Sequence, residues 1–184
     1  TVARSLGFPI AIGGVHVSSD TQRIYEDIGL DVIDIAFTGE SDNSFPEFVE
    51  ILNGDRPLEQ LSQAVVAIEK KMITFGARAT PVEEDLDTIP AYDQMQTSEL
   101  SGHGVIGAFY CFKPKDAKFA TVLSNRGCRG RCTFCSVRSF NGSGVRHRSV
   151  ASVVDELELL SGDYGIDHIV WLDDDLFKDH RRAI

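Results

Sequence analysis

No run of about 18 apolar residues interrupts the chain, so no segment is read as a transmembrane helix. The amino terminus, Thr1-Val-Ala-Arg-Ser-Leu-Gly7, shows neither a signal-peptide pattern nor an initiator Met. Basic charge is in short supply: 18 Lys plus Arg stand against 28 Asp plus Glu, for a net charge of −10. That balance gives no footing for non-specific binding to nucleic acid or to a membrane surface. Cysteine is scarce as well. There are four, and three of them fall in one loop instead of being spread along the chain as a disulfide framework would be. Clustered thiols in an acidic chain fit a reducing, cytoplasmic setting and a metal site. No internal repeat is present.

The 184 residues allow one large or two small domains, and at 42% hydrophobic content they can build a real core. Residues 1–55 alternate strand and helix. Phe8–Ile12 reads as a buried strand running into Gly13-Gly14, and Asp20–Ile28 as an amphipathic helix with Asp20 as its N-cap and Gly29 as its stop. Val32–Phe37 is a second strand, ending at Thr38-Gly39-Glu40. The next helix starts at Ser44 with Pro46 in its first turn, carries Phe45, Phe48, Val49 and Leu52 on one face, and stops at Asn53-Gly54-Asp55. This order predicts an α/β fold with a Rossmann-like, doubly wound parallel sheet. Ligands of such sheets sit at the carboxyl ends of the strands, where Gly13, Gly14, Gly39 and Glu40 lie.

Residues 56–117 read as a linker with a hairpin. Ala64–Ile68 and Met72–Phe75 flank Glu69-Lys70-Lys71, and Pro81–Tyr92, with two prolines and four carboxylates in a stretch of little periodicity, reads as an extended connector. Cys111, in an apolar run from Val105 to Phe112, reads as a small buried hydrophobe. Residues 118–184 return to strand and helix. Phe119–Leu123 is a strand, Asn141–Gly144 a turn, and a helix capped by Ser149 or Ser152 turns Val153, Val154, Leu157 and Leu160 to the core. His168–Leu172 is the next strand and ends in Asp173-Asp174-Asp175; another helix begins near Lys178. A strand–helix–strand unit makes the two strands parallel and brings the cysteine loop and the Asp run to one face. Arg146 and Arg148 flank the helix start and read as surface charge. His103 and His180 carry no signal.

The cysteine loop, Cys128-Arg-Gly-Arg-Cys132-Thr-Phe134-Cys135, places three thiols within eight residues. Three thiolates on a [4Fe–4S] cubane leave one iron without a protein ligand, open to a substrate or cofactor. A structural zinc site with His147 as fourth ligand competes with this reading. Zinc knuckles usually come as two pairs, however, and zinc gives no reason for the strand before the loop or the strand–helix unit after it.

The loop resembles the CxxxCxΦC signature of radical S-adenosylmethionine enzymes, with Phe134 as the aromatic residue, and Ser124-Asn-Arg-Gly127 is similar to their lead-in. The resemblance implies that Cys128, Cys132 and Cys135 ligate three irons. It also implies that the fourth iron binds the amino and carboxylate groups of S-adenosylmethionine, and that Phe134 lies near the adenine. Reductive cleavage to a 5′-deoxyadenosyl radical would follow, with the cofactor carrying the chemistry and the protein positioning it. Where the family has a Gly-Gly-Glu-like segment, this chain has Asp174-Asp175-Leu-Phe177, similar to the variant of the cobalamin-binding branch. A carboxylate there, Asp174 or Asp175, would meet the methionine amino group. Gly13-Gly14-Val-His16 and Gly39-Glu40-Ser41 resemble the second half of a cobalamin-binding domain, where glycines let the nucleotide tail approach the backbone. Ile89-Pro90-Ala-Tyr92 resembles the linker before the barrel.

One feature of that branch is missing: no DxHxxG motif occurs, and His16 reads as a loop residue near the tail. The resemblance therefore implies a piece of a longer enzyme, the end of a cobalamin-binding domain (1–55), a linker (56–117) and the first strands of a TIM-type (β/α) barrel (118–184). The expected cofactors are a [4Fe–4S] cluster, S-adenosylmethionine and cobalamin. The expected partners are a small-molecule substrate and a reductant such as flavodoxin or ferredoxin, with no membrane and no nucleic acid. The expected reaction is methyl transfer to carbon, or a cyclisation or rearrangement. A cobalamin-free, methylthiotransferase-type enzyme and a non-catalytic iron–sulfur or zinc module are the alternatives. The isolated chain is expected to be inactive, and measured turnover by it would sink that expectation.

Overall fold

The structure is a computed structural model and describes residues 2–76, 80–94 and 116–182. It divides into two compact units, Thr1–Pro81 with Gly130–Ser143, and Val82–Arg129 with Gly144–Ile184.

In the first unit a short helix α1 (Val2–Ser5) precedes strand β1 (Ala11–Ile12), helices α2 (Val15–Ser19) and α3 (Thr21–Ile28), strand β2 (Ile35–Phe37) and helix α4 (Ser44–Asn53). The local signals act as read. The Asp20 side chain accepts from the Arg23 N–H at 3.1 Å, and Gly29 and Gly54 follow α3 and α4 with positive φ. His16 lies within α2, not in a loop. β1 and β2 pair in parallel, Ala11 opposite Ile35 and Ile12 opposite Ala36. Every residue of β2 is buried. Ala36 packs with Val17, Tyr25 and Val65 under α2 and α3, while Ile35 and Phe37 pack with Leu61 and Phe48 under α4. Successive residues of one strand thus feed two cores, which is the packing of a sheet covered on both faces.

Parallel pairing stops there. The hairpin of β3 (Ala64–Ile68) and β4 (Lys71–Phe75) joins the same sheet, β3 antiparallel to β2 with Ala36 opposite Val65, giving the order β1-β2-β3-β4. Its turn residues Glu69 and Lys70 both have positive φ, the geometry of the tight turns that match strand twist. The sheet is therefore mixed, not purely parallel, because a two-residue turn can only return the chain antiparallel. The apolar face of α4 is only partly used: Phe45, Val49 and Leu52 are exposed. A one-turn helix α5 (Val137–Asn141) also belongs to this unit.

In the second unit β5 (Phe119–Val122) pairs in parallel with β8 (His168–Trp171), Phe119 opposite His168 and Val122 opposite Trp171. Helix α6 (Val150–Gly162) connects them and is capped by Ser149, whose Oγ accepts from the Ser152 N–H at 3.1 Å. Between them β6 (Asn125–Arg126) pairs antiparallel with β7 (Arg146–His147). Ala120, Val122, Leu160 and Ile166 form the core with Tyr92. Val154, read as a core residue, is exposed one position beyond the buried stripe of Val153 and Leu160.

Residues 81–92 are not the bare connector their composition suggests. They hold a 3-10 turn at Glu83–Asp87, bury Leu86 and Tyr92, and dock by hydrogen bonds from the His147 N–H to Glu83 (3.0 Å) and from the Ser149 N–H to Asp87 (2.6 Å). The carboxylates that mimic a solvated linker are acceptors for backbone donors at the start of α6. The apolar run from Val105 to Phe112, with Cys111, and His103 lie outside the described residues.

Candidate functional site

Parallel pairing brings the carboxyl ends of β5 and β8 side by side, and the three consecutive aspartates after β8 take three different positions there. Asp173 faces the end of β5. Its carboxylate accepts from the Ser124 N–H (2.7 Å), the Asn125 N–H (3.2 Å), the Asn125 side-chain amide (3.0 Å) and the Ser124 hydroxyl. Asp175 faces the start of the cysteine loop. Its Oδ2 lies 4.0 Å from Cys128 Sγ, 3.0 Å from the Arg129 guanidinium and 3.4 Å from the Arg129 N–H. Asp174 is exposed and has no hydrogen-bond or ion-pair partner among the described residues. Its pKa is raised above the ordinary carboxylate value, first by desolvation and then by the like charge of Asp173.

The expected meeting of the Asp run and the cysteine loop therefore occurs, at Cys128 and Asp175. None of Cys128, Cys132 and Cys135 is in a disulfide; Cys128 is half-buried, and Cys132 and Cys135 are exposed in one turn closed by the Cys135 N–H donating to the Cys132 carbonyl at 3.2 Å. Among the described residues no group of three or more His, Cys, Asp or Glu side chains is gathered as a metal site. The donor set nonetheless fits an iron–sulfur cluster by its chemistry: three soft thiol donors within eight residues, none of them in a disulfide. Phe134 is 91% exposed beside them.

At the other predicted site the parallel pair β1–β2 brings both glycine segments to one end of the sheet. The Gly39 N–H donates to Ser18 Oγ of α2 at 2.8 Å. Gly14 has φ +100° and open space where a Cβ would project. A Cβ at Gly13 would meet Phe37 at an ordinary 3.6 Å, whereas one at Gly39 would clash with the Gln63 side-chain amide nitrogen. Glu40 is buried. A cavity of about 240 Å³ opens beside Gly39, lined by Ser18, Thr38, Gln63 and Ser139 among others. The Gln63 side-chain oxygen is buried there without a partner among the described residues. An orphaned acceptor beside a cavity bordered by glycine suits the polar tail of a cofactor.

Sequence reasoning missed Asp173, since nothing local marks which member of an Asp run faces the neighbouring strand. It also missed Glu156 and misjudged Arg148. Arg148 is buried at 6% exposure and pairs with Glu156, which is 2% exposed. The available signal was Glu156 on the stripe Ser152–Glu156–Leu160, a charge at a core position of a helix.

No protein-family model matches the chain. It is 29% identical over 175 residues to an uncharacterized methyltransferase of Pyrococcus horikoshii, a match that covers 95% of this chain and 35% of that one. It is 27% identical over 192 residues to the cytidylyl-2-hydroxyethylphosphonate methyltransferase of Streptomyces wedmorensis, covering 94% of this chain and 35% of the relative. Among solved structures it resembles TsrM of Kitasatospora setae, a radical S-adenosylmethionine methyltransferase with cobalamin and a [4Fe–4S] cluster bound. The TM-score is 0.68 at 21% identity, over 96% of this chain and 33% of that one. The chain shares its α/β fold with that structure and is similar in sequence to methyltransferases over nearly all its length, in keeping with the resemblance read from the cysteine loop. It spans about a third of the length of these relatives. Among the described residues no helix is long and apolar enough to cross a membrane.

Proposed function

We propose that this chain is the cofactor-bearing part of a cobalamin-dependent radical S-adenosylmethionine enzyme that transfers a methyl group to a small-molecule substrate. The observation that carries the reading is the strand-end geometry: Cys128 opens the thiol loop 4.0 Å from Asp175, at the carboxyl ends of two parallel strands. Cys128, Cys132 and Cys135 would hold a [4Fe–4S] cluster, which supplies the electron for reductive cleavage of S-adenosylmethionine. Asp175 anchors the loop through Arg129. Asp174, the carboxylate with no protein partner among the described residues, is the one left to meet a cationic amino group. Gly14, Gly39 and Gln63 would border the tail of cobalamin, with Gly13 and Glu40 behind them. Phe134 would shield the cofactor from water. A flavodoxin- or ferredoxin-like protein would be the reductant.

Anaerobic reconstitution of the full-length protein with iron and sulfide tests this. The expected result is about four irons per chain, in line with three thiolates on a cubane, and an electron paramagnetic resonance spectrum of the reduced cluster that changes on adding S-adenosylmethionine. A cluster that ignores S-adenosylmethionine would make the chain an electron-transfer module. Zinc retained in place of iron would refute the reading.

A further inference from the structure

Behind the strand ends lies a buried ionic chain that the cofactor reading does not use. The Tyr92 hydroxyl donates to one oxygen of Glu156 at 2.5 Å. The other oxygen takes Nη1 of Arg148. The same Nη1 donates to the carbonyl of Leu123 at 3.0 Å, the first residue past β5, and Nη2 donates to Ser152 Oγ at 2.9 Å and to the Ser152 carbonyl at 3.3 Å. All three members are buried, at 6%, 2% and 6% exposure for Tyr92, Glu156 and Arg148. Leu123 is followed at once by Ser124 and Asn125, the donors that hold Asp173, and then by Cys128.

A buried ion pair is weak evidence of stability, because desolvation offsets its attraction. This one is also incompletely satisfied: Arg148 Nε is buried with no partner among the described residues. What the network does supply is direction. Nη1 aims at a strand-end carbonyl that no ladder bond requires, and Tyr92 fixes Glu156 so that Arg148 has one place to go. We propose that Tyr92, Glu156 and Arg148 are positioning residues that hold the Leu123 carbonyl, and through it the exit of the chain toward Cys128, so that the first ligand of the thiol loop leaves β5 in one orientation. The inference rests on the cluster reading proposed above.

The test uses the full-length protein, reconstituted anaerobically, and compares Tyr92→Phe with the triple variant Tyr92→Phe/Arg148→Met/Glu156→Met. The triple variant replaces the network with apolar groups of similar size, which keeps the helix packed while removing the donor to Leu123. The expected result is a thermal midpoint close to the parent's, with iron lost to a chelator about tenfold faster, the rate equivalent of ~1.4 kcal/mol. An altered spectrum of the reduced cluster should accompany it. Tyr92→Phe should show the same changes in smaller degree. A triple variant with parent-like iron release and spectrum overturns the positioning role and leaves the cluster reading intact. Faster iron loss only in proportion to a lowered midpoint in both variants overturns it too, since the network then serves stability alone. If the parent protein itself takes up no cluster, the proposed function fails and the inference with it.

Discussion

Replacing Asp173 by alanine should cost the second unit about 3 kcal/mol. The figure is built from two of the four hydrogen bonds that its carboxylate accepts. The Ser124 hydroxyl can turn to water, and the Asn125 amide has a second acceptor in the Asp175 carbonyl at 3.4 Å. The backbone N–H groups of Ser124 and Asn125, at 2.7 and 3.2 Å, cannot turn away. A hydrogen bond to a charged acceptor contributes about 1.5–3 kcal/mol, and two at the low end give ~3 kcal/mol. The low end is right because Asp173 is half-buried and water can reach part of the gap. Trp171, the one tryptophan of the chain, lies on β8, so its fluorescence reports on this unit during urea unfolding. At a slope of about 1–3 kcal/mol per M, the midpoint falls by roughly 1 M or more. Asp173→Asn keeps one acceptor oxygen and should cost about half as much, by the same hydrogen-bond values. Asp174→Ala is the control from the next residue and should not lower the midpoint at all. An Asp173→Ala midpoint indistinguishable from that of Asp174→Ala would refute the strand-end clamp.

Two further outcomes follow from shifted ionisations. Asp174 has a raised pKa, so its ionised form is disfavoured in the folded state, and the stability tied to its proton is lost as pH rises through the folded pKa. Asp174→Asn should therefore stabilise the protein at pH about 7, with the gain vanishing below about 4, the ordinary carboxylate range; a gain independent of pH would contradict the assignment. The Tyr25 phenol, 1% exposed and donating to the Val65 carbonyl at 2.9 Å, has its pKa pushed from 10.0 up to about 12, by burial first and by the charge of Asp34 second. The stability linked to its proton is intact below pH 10 and declines as pH rises toward 12. Tyr25→Phe should lower stability at neutral pH by about 1 kcal/mol, the worth of one hydrogen bond. It should also flatten the alkaline decline seen in a circular-dichroism titration.

The parts of the fold that were legible from the sequence are those with local causes. Asp20, Gly29, Gly54 and Ser149 mark helix ends because a cap is a contact within three or four residues of the chain. The cysteine loop was legible because its donors are consecutive. The division of work among Asp173, Asp174 and Asp175 was not, because it depends on contacts 46 to 50 residues away that only the register of β5 against β8 decides. Residues 81–92 were misread for a related reason. Their carboxylates look like solvated linker charge, yet Glu83 and Asp87 accept from backbone donors more than 60 residues further along. Arg148 was mistaken for surface charge because its partner Glu156 sits eight residues on, two helical turns into α6, and only burial reveals the pair. The hairpin was read correctly as a hairpin, but period-two patterning does not say which sheet a hairpin joins.

These misreadings share a consequence for how the thiol loop is held. A two-stranded sheet is marginal by itself in water, and β5 and β8 are the whole of theirs among the described residues. Their register is fixed from outside the strands. At the amino end Asp167 accepts from the Lys118 N–H at 2.8 Å, and at the carboxyl end Asp173 accepts from Ser124 and Asn125. Each clamp is an aspartate one or two residues beyond an end of β8, bonded to a backbone donor just beyond the matching end of β5. Slipping the register by one residue would break both at once and would also turn Val122 and Val170 out of the core. The point from which the chain departs toward Cys128 is thus determined by side chains that lie outside the cysteine loop. A design that grafted residues 128–135 onto another parallel pair without the equivalents of Asp167, Asp173 and Arg148 would carry the same three thiols in a loop free to leave its strand in several directions.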